Sequence, residues 1–162
     1  MTKSKKDISN LIIRNLRLDD FDQIVHIDSL ATGYPRNHYF EKKFRRILGE
    51  DAQLQLAMVA EMDKKVVGFI MGEANSGEYG IAEPVASVDT LGLDPDYDRS
   101  GIGKALLDDY CSMAEKAGIE LMTTLVPSDW PNIIEFFKAN DFRPAGILAL
   151  DRKLNPVVKF EG

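Results

Sequence analysis

The chain of 162 residues has one cysteine, Cys111, and two histidines, His26 and His38. A lone cysteine closes no internal disulfide and builds no thiolate cluster. That usage belongs to a reducing compartment, so the cytoplasm is the expected location. Two histidines make no His-rich site, and no metal is expected. Long apolar runs are missing too. The N-terminus MTKSKKDISN is basic, but Leu11-Ile12-Ile13 behind it is too short for a signal sequence, and nothing approaches the ~20 apolar residues that span a bilayer. No membrane partner is expected. Positive charge is in the minority, with 20 basic residues against 26 acidic and a net charge of −6. Such a chain lacks the basic face that a phosphate backbone needs, so nucleic acid is not an expected partner either.

What is present suits a folded domain. Hydrophobic residues make up 44% and charged residues 28%, which excludes wholesale disorder. Against ~150 residues per domain the length predicts one domain, able to bury roughly 68–70% of its unfolded surface. Residues 1–9 read as a flexible tail and 10–162 as the domain.

The β-branched run 11–16 predicts a strand. Leu18-Asp19-Asp20 opens a helix with acids in its first turn, and Phe21, Ile24, Val25 and Ile27 continue it to Gly33-Tyr34-Pro35. A second helix carries Phe40, Phe44, Ile47 and Leu48 on one face; Lys42, Lys43, Arg45 and Arg46 make the other, read as solvated. Runs 54–59 and 66–71 flank a polar turn over 61–65 and predict a hairpin. A Gly-rich loop, 72–84, leads into a long third strand, 85–93. Helix 101–117, strand 120–126, helix 130–140 and a last strand 147–150 complete the chain. The order β-α-α-β-β-β-α-β-α-β predicts an α+β domain, with a mixed, mostly antiparallel sheet and helices on both faces.

The most informative segment is residues 89–105, DTLGLDPDYDRSGIGKA. A strand ends, an irregular turn follows, and a helix opens on Gly101 and Gly103, with free N–H groups at its positive end: an anion site, or else only a tight turn with close packing. Better-known phosphate loops fail here. A P-loop ending at Gly103-Lys104 needs glycine at 98 and Ser or Thr at 105, where Asp98 and Ala105 stand. A dinucleotide fingerprint from Gly101 meets Leu106 at its third glycine. A calcium loop from Asp94 meets Arg99 and Ala105 where glycine and glutamate belong.

Leu91-Gly92-Leu93-Asp94-Pro95, followed by Asp98-Arg99-Ser100-Gly101-Ile102-Gly103, resembles the hallmark of the GNAT superfamily, the acyl-CoA-dependent N-acyltransferases. That hallmark is a Leu-x-Val strand, Asp-Pro, then Gln/Arg-x-x-Gly-x-Gly/Ala opening a long helix. The element order resembles the family's from Leu11 to about Leu154. The resemblance implies a central sheet with a splayed strand pair and acetyl-CoA as co-substrate. It implies that the backbone of Leu91 and Leu93 pairs with the pantetheine arm and that the Leu91 amide polarises the thioester carbonyl. Backbone amides of Arg99, Ser100, Gly101, Ile102, Gly103 and Lys104 would hold the pyrophosphate. Gly92 would sit at the bulge that splays the strands. In the family's later pattern, Asn-x-x-Ala-x-x-Phe-Tyr-x-x-x-Gly-Phe, Trp130 replaces the asparagine with Asn132 close by, and Phe137 replaces the tyrosine that often protonates the thiolate. Asn132 and Phe137 are the implied cofactor-binding residues there. A further departure is Asp98, an acid at the first motif position. Terminal-strand pairing is common in the family, so either a monomer or a homodimer is expected.

The implied reaction is attack of a primary amine on a thioester, with no covalent enzyme intermediate. A thiol of pKa ~8.5 leaving unprotonated at pH 7 costs about 2 kcal/mol, so the missing tyrosine is tolerable. Tyr79, Tyr97 and Tyr110 are alternative acids. Deprotonating a lysine of pKa ~10.4 costs about 4.6 kcal/mol, an α-amine near 7.7–8.0 only about 1. Strand alternation places Ser87, Asp89, Leu91 and Leu93 on one face, which makes Asp89 the candidate catalytic base. Glu73, Glu78 and Glu83 lie around it, and the acceptor, a protein N-terminus, a lysine or a small amine, is expected to be cationic. Cys111 has no histidine nearby in sequence and is not proposed as a nucleophile. The rival reading is a non-catalytic acyl-CoA-binding module that keeps the cradle without turnover.

Overall fold

The computed structural model describes residues 5–52 and 54–160, and the chain's contacts fall into two compact units, Met1–Leu125 and Val126–Gly162. The first unit holds β1 (Ile12–Asn15), α1 (Phe21–Thr32), α2 (Asn37–Leu48), β2 (Ala57–Met62), β3 (Lys65–Met71), β4 (Ala74–Asn75), β5 (Val85–Val88), β6 (Thr90–Leu93), α3 (Ile102–Lys116) and β7 (Leu121–Thr124). The strands form two sheets. One runs β1-β2-β3-β6, antiparallel throughout; the other runs β4-β5-β7, with β5 and β7 parallel.

Apolar faces explain the layering. Ile24 of α1 and Phe40, Phe44 and Ile47 of α2 are buried in one cluster with Val59, Phe69 and Met71 of the first sheet. Phe40 meets Phe69 edge to face at 5.8 Å between ring centroids. On the opposite face, α3 buries Ile102, Leu106, Leu107 and Tyr110, and Leu93 and Leu106 close over Gly68. Arg14 of β1 reaches Asp20 with two hydrogen bonds of 2.7 and 2.8 Å and Glu61 of β2 with one of 2.7 Å. This fastens the first strand to the helix entry. Burial pushes the Asp20 carboxyl up, but the Arg14 guanidinium and the Arg17 amide outweigh it and hold it below the usual carboxylate range.

The elements agree with the sequence reading more than their edges do. The hairpin strands run on to a two-residue turn, Asp63-Lys64, in which both residues have positive φ (50° and 66°), the geometry whose twist matches paired strands. The expected long third strand is two strands, β5 and β6, parted at Asp89. The expected last strand over 147–150 does not form. Residues 143–160 contain neither helix nor strand, and Ile147, Leu148 and Leu150 are 51%, 83% and 89% exposed. A strand exists only as a pairing, and no described strand pairs with this run.

The second unit is organised by α4 (Pro131–Ala139), which starts on a proline whose missing N–H costs nothing at a helix's first position. Phe137 is buried between the rings of Phe136 and Phe142. Of the expected tail, residues 1–4 lie outside the described ones, as do 161 and 162. Residues 5–9 make contacts: Ile8 Cδ1 lies beside Gly101, and the Lys6 ammonium sits 4.1 Å above the Tyr97 ring. No helix among the described residues is long and apolar enough to cross a membrane.

Candidate active site

The site begins where β5 gives way to β6. Thr90 stands opposite Met71 in the β3–β6 ladder, yet the Asp89 N–H also donates to the Met71 carbonyl, at 2.9 Å. Two residues therefore oppose one, which is a β-bulge. A bulge resets alternation, and the faces change accordingly. Asp89 and Thr90 both reach toward α2: Asp89 Oδ2 accepts from Lys43 Nζ, and Thr90 Oγ1 shares a 2.8 Å hydrogen bond with the Tyr39 hydroxyl. Leu91 and Leu93 face α3. This corrects the expectation that Asp89, Leu91 and Leu93 share one face.

The bulge also separates the two sheets. β5 pairs with β7 only as far as Val88 and Thr124, where the Thr124 hydroxyl donates to the Val88 carbonyl at 2.9 Å. Beyond that point β6 keeps β3 as its only sheet neighbour among the described residues. The Asp94 N–H donates to Val67 at 2.8 Å, and ladder hydrogen bonds alternate from residue to residue. Thr90, Gly92 and Asp94 thus turn their backbone groups to β3, while Leu91 and Leu93 turn theirs to the open edge. The splay lies at Asp89 and not at Gly92, which pairs in regular register with Phe69. Gly92 is glycine for another reason: a Cβ there would overlap the Phe69 ring.

The turn into α3 supplies the second half. Gly101 caps the helix with φ +93°, which only glycine adopts freely, and Arg99 also has positive φ at +56°. Two of the six expected amides are used internally: Ser100 donates to the Tyr97 carbonyl at 3.3 Å, and Ile102 to the hydroxyl of the buried Ser100 at 3.4 Å. Among the described residues, the amides of Arg99, Gly101, Gly103 and Lys104 have no such acceptor and stand at the positive end of a fifteen-residue helix. The Lys104 ammonium itself is occupied by Asp108 at 2.6 Å. Asp98 is exposed. These donors and the open edge suit a pyrophosphate followed by an amide-bearing arm.

The α2 face of β6 carries side chains instead. Lys43, 8% exposed, lies 2.5 Å from Asp89 and 3.4 Å from Glu73; Glu73 also accepts from Arg46 at 2.5 Å, and Asp89 Oδ1 from Ser87 at 2.6 Å. Burial alone would lower the Lys43 ammonium, but its hydrogen bond to Asp89 and the charges around it raise it above the ordinary lysine value. Glu73 and Asp89 are thus already neutralised by Lys43 and Arg46, and only Glu78 and Glu83 remain as exposed acids in the 72–84 loop. A cleft of about 480 Å³ adjoins the cluster, lined by Arg46, Asp51, Gly72, Glu73, Ala117 and Ile119 among others.

The solvated face expected of Lys42, Lys43, Arg45 and Arg46 does not include Lys43, which is buried. Its position was signalled by helical spacing, because Phe40, Lys43, Phe44 and Ile47 stand at i, i+3, i+4 and i+7 and so lie on one stripe. Of the candidate acids, Tyr110 is buried, donates its hydroxyl to the Ser87 carbonyl at 2.6 Å, and is pushed to higher pKa by burial and the nearby Asp89 charge. Tyr79 is 89% exposed, and Tyr97 lies beneath Lys6. Burial, with Glu115 and Asp108 nearby, pushes the Cys111 thiol up, away from a nucleophile's thiolate. Asn132 is exposed in the first turn of α4, and Phe137 lies in the aromatic cluster of the second unit.

Comparison with known proteins follows the geometry. The sequence profile of the acetyltransferase (GNAT) family matches residues 21–142. An uncharacterised N-acetyltransferase of Methanocaldococcus jannaschii is 29% identical over 146 residues, 84% of this chain and 64% of that protein. An N-alpha-acetyltransferase of Sulfurisphaera tokodaii is 35% identical over 100 residues, 59% of this chain and 57% of that protein. The chain therefore spans less than two thirds of either relative. Among solved structures, an aminoglycoside N-acetyltransferase in complex with CoA superposes with a TM-score of 0.73 at 14% identity, over 88% of this chain and 94% of that one, a likeness of fold.

Proposed function

The chain belongs to the GNAT acetyltransferase family, and from that premise we propose that it transfers the acetyl group of acetyl-CoA to a primary amine by direct attack on the thioester. One observation carries the reading. A strand edge with outward backbone groups at Leu91 and Leu93 runs, within a few residues, into a helix start with free amides. In this reading the Leu91 N–H meets the carbonyl oxygen as it gathers negative charge. The amides of Arg99, Gly101, Gly103 and Lys104 hold the pyrophosphate, and Ser100 and Ile102 shape the turn. As nitrogen bonds to the carbonyl carbon and the carbon–sulfur bond breaks, the amine's proton passes to Asp89, directly or through water. The sulfur leaves as thiolate.

The acceptor we propose is the α-amine of a peptide, acting in the cytoplasm. One relative's designation as an N-alpha-acetyltransferase supports this, and so does the charge balance. With Asp89 and Glu73 paired to Lys43 and Arg46, little unpaired negative charge remains to gather a cationic side chain. An amine that sheds its proton for about 1 kcal/mol also asks less of a paired carboxylate than a lysine at ~4.6. The rival reading, an acyl-CoA binder without turnover, draws on Phe137, which stands where the family's sequence pattern often has tyrosine.

Free-thiol release from acetyl-CoA, followed across peptides with free or blocked N-termini, lysine side chains and small amines, tests both parts. Release with free N-termini is the expected result. Release with lysine side chains alone overturns the acceptor, and acetyl-CoA binding with no release from any amine overturns transfer in favour of the rival.

A further inference from the structure

Resting on that reading, one buried charge in the cluster beside β6 still lacks a role. Lys43 is nine-tenths buried on the apolar stripe of α2, where an ammonium is costly unless something requires it. Among the described residues, charged and titratable groups face Asp89 from three stretches of the chain. From α2 come Lys43 and, beyond it, Arg46 and the Tyr39 ring, 5.7 Å from the Lys43 ammonium. From the segment after β3 comes Glu73, shared by both cations. From α3 comes Tyr110, whose hydroxyl is spent on the Ser87 carbonyl while the Ser87 hydroxyl is spent on Asp89.

An unpaired carboxylate in this place would bind an incoming ammonium tightly and hold its proton on. That stabilises the bound acceptor in the one form that cannot attack. We propose that Lys43 is a positioning residue: it serves as Asp89's counter-ion before the acceptor arrives, so that the acceptor amine is not stored in the cleft as an ammonium ion. The neighbouring ammonium also works against protonation of a bound amine through like charge. When Asp89 takes the proton during attack, Lys43 still has Glu73 at 3.4 Å and is not left alone. The pair thus prevents ground-state trapping without removing the base.

The test compares wild type with Lys43→Met, which keeps the stem, and Lys43→Arg, which keeps the charge. Acceptor KM and kcat are measured with a free N-terminal peptide at saturating acetyl-CoA from pH 6 to 9. Lys43→Met should lower acceptor KM and lower kcat at pH 7, each about three- to tenfold, and move the acid limb of kcat about one pH unit higher. Lys43→Arg should stay near wild type in all three readouts. A purely structural role would lower kcat without lowering KM and without moving the limb. An active Lys43→Met with an unsplit KM and kcat and the wild-type acid limb overturns the proposal alone. A wild-type protein that acetylates no amine overturns the functional reading and this inference with it.

Discussion

Residues 91–104 and the cluster on the α2 face adjoin one another at Asp89, yet they work with different atoms. The first region offers peptide groups: the outward edge of β6 and the open amides of the α3 turn. The second offers side chains from three distant stretches, with Lys43 and Asp89 46 residues apart along the chain and Lys43 and Glu73 30 apart. Peptide groups are placed by local backbone geometry, so that region tolerates many side chains and few changes of conformation. Side-chain charges are placed by packing, so the second region depends on partners brought together only by the completed fold.

The largest effect should come from attacking the backbone region at Gly92, where there is no room for a side chain. Gly92→Val would drive its side chain into the Phe69 ring, and denaturant unfolding should register a loss of about 3 kcal/mol. Phe69→Leu in the same chain should return part of that loss by making room.

An ion pair outside both regions gives the next contrast. Asp20, 3% exposed, has a carboxyl held below its ordinary value, so its contribution to stability is complete above that value and fades as pH falls through the folded one. Asp20→Asn should cost about 2 kcal/mol near pH 7 and progressively less toward pH 2, read by thermal unfolding across pH. Lys43→Met should cost less, about 1 kcal/mol, because Asp89 stays partly in water and retains Ser87. Its pH dependence runs the other way. The Lys43 ammonium is raised in the folded protein, so its contribution is complete below the ordinary lysine value and fades as pH rises through the folded one. The variant should therefore lack an alkaline limb that wild type has.

The smallest effect belongs to Lys6 beside the turn. Lys6→Gln should leave unfolding unchanged and weaken CoA binding by at most about twofold in calorimetry, since exposed ammonium groups contribute little. A larger loss would move part of the first region's work onto side chains.

How far each region was legible follows from the same contrast. The Asp94-Pro95 strand end and the Gly101–Gly103 helix opening are contiguous and carry their own dihedral demands, so the strand end and the glycine turn into the helix could be read from residues 89–105. The bulge at Asp89 could not, because it is a mismatch of two strands: nothing in Val-Asp-Thr-Leu declares that Met71 will face both Asp89 and Thr90. Gly92 invited the bulge because glycine tolerates unusual dihedrals, whereas its actual demand is the width of a ring on a strand about twenty residues away. Lys43 was visible on the apolar stripe of α2 but was grouped with its basic neighbours. The run 147–150 has strand-like composition, and composition carries no information about whether a partner strand is at hand.

The open edge of β6 has one more consequence, for how the protein avoids its own kind. An unpaired strand edge is a template on which a strand of another molecule can grow into an aggregate. Here the template is curtailed at both ends. The bulge with its charged Asp89 stops it on one side, and the 3-10 turn that begins at Pro95 stops it on the other. Between them only Leu91 and Leu93 turn their backbone groups outward, a short stretch for another strand to pair with. The same brevity that offers a foreign strand little to pair with still leaves room for the small ligand proposed above.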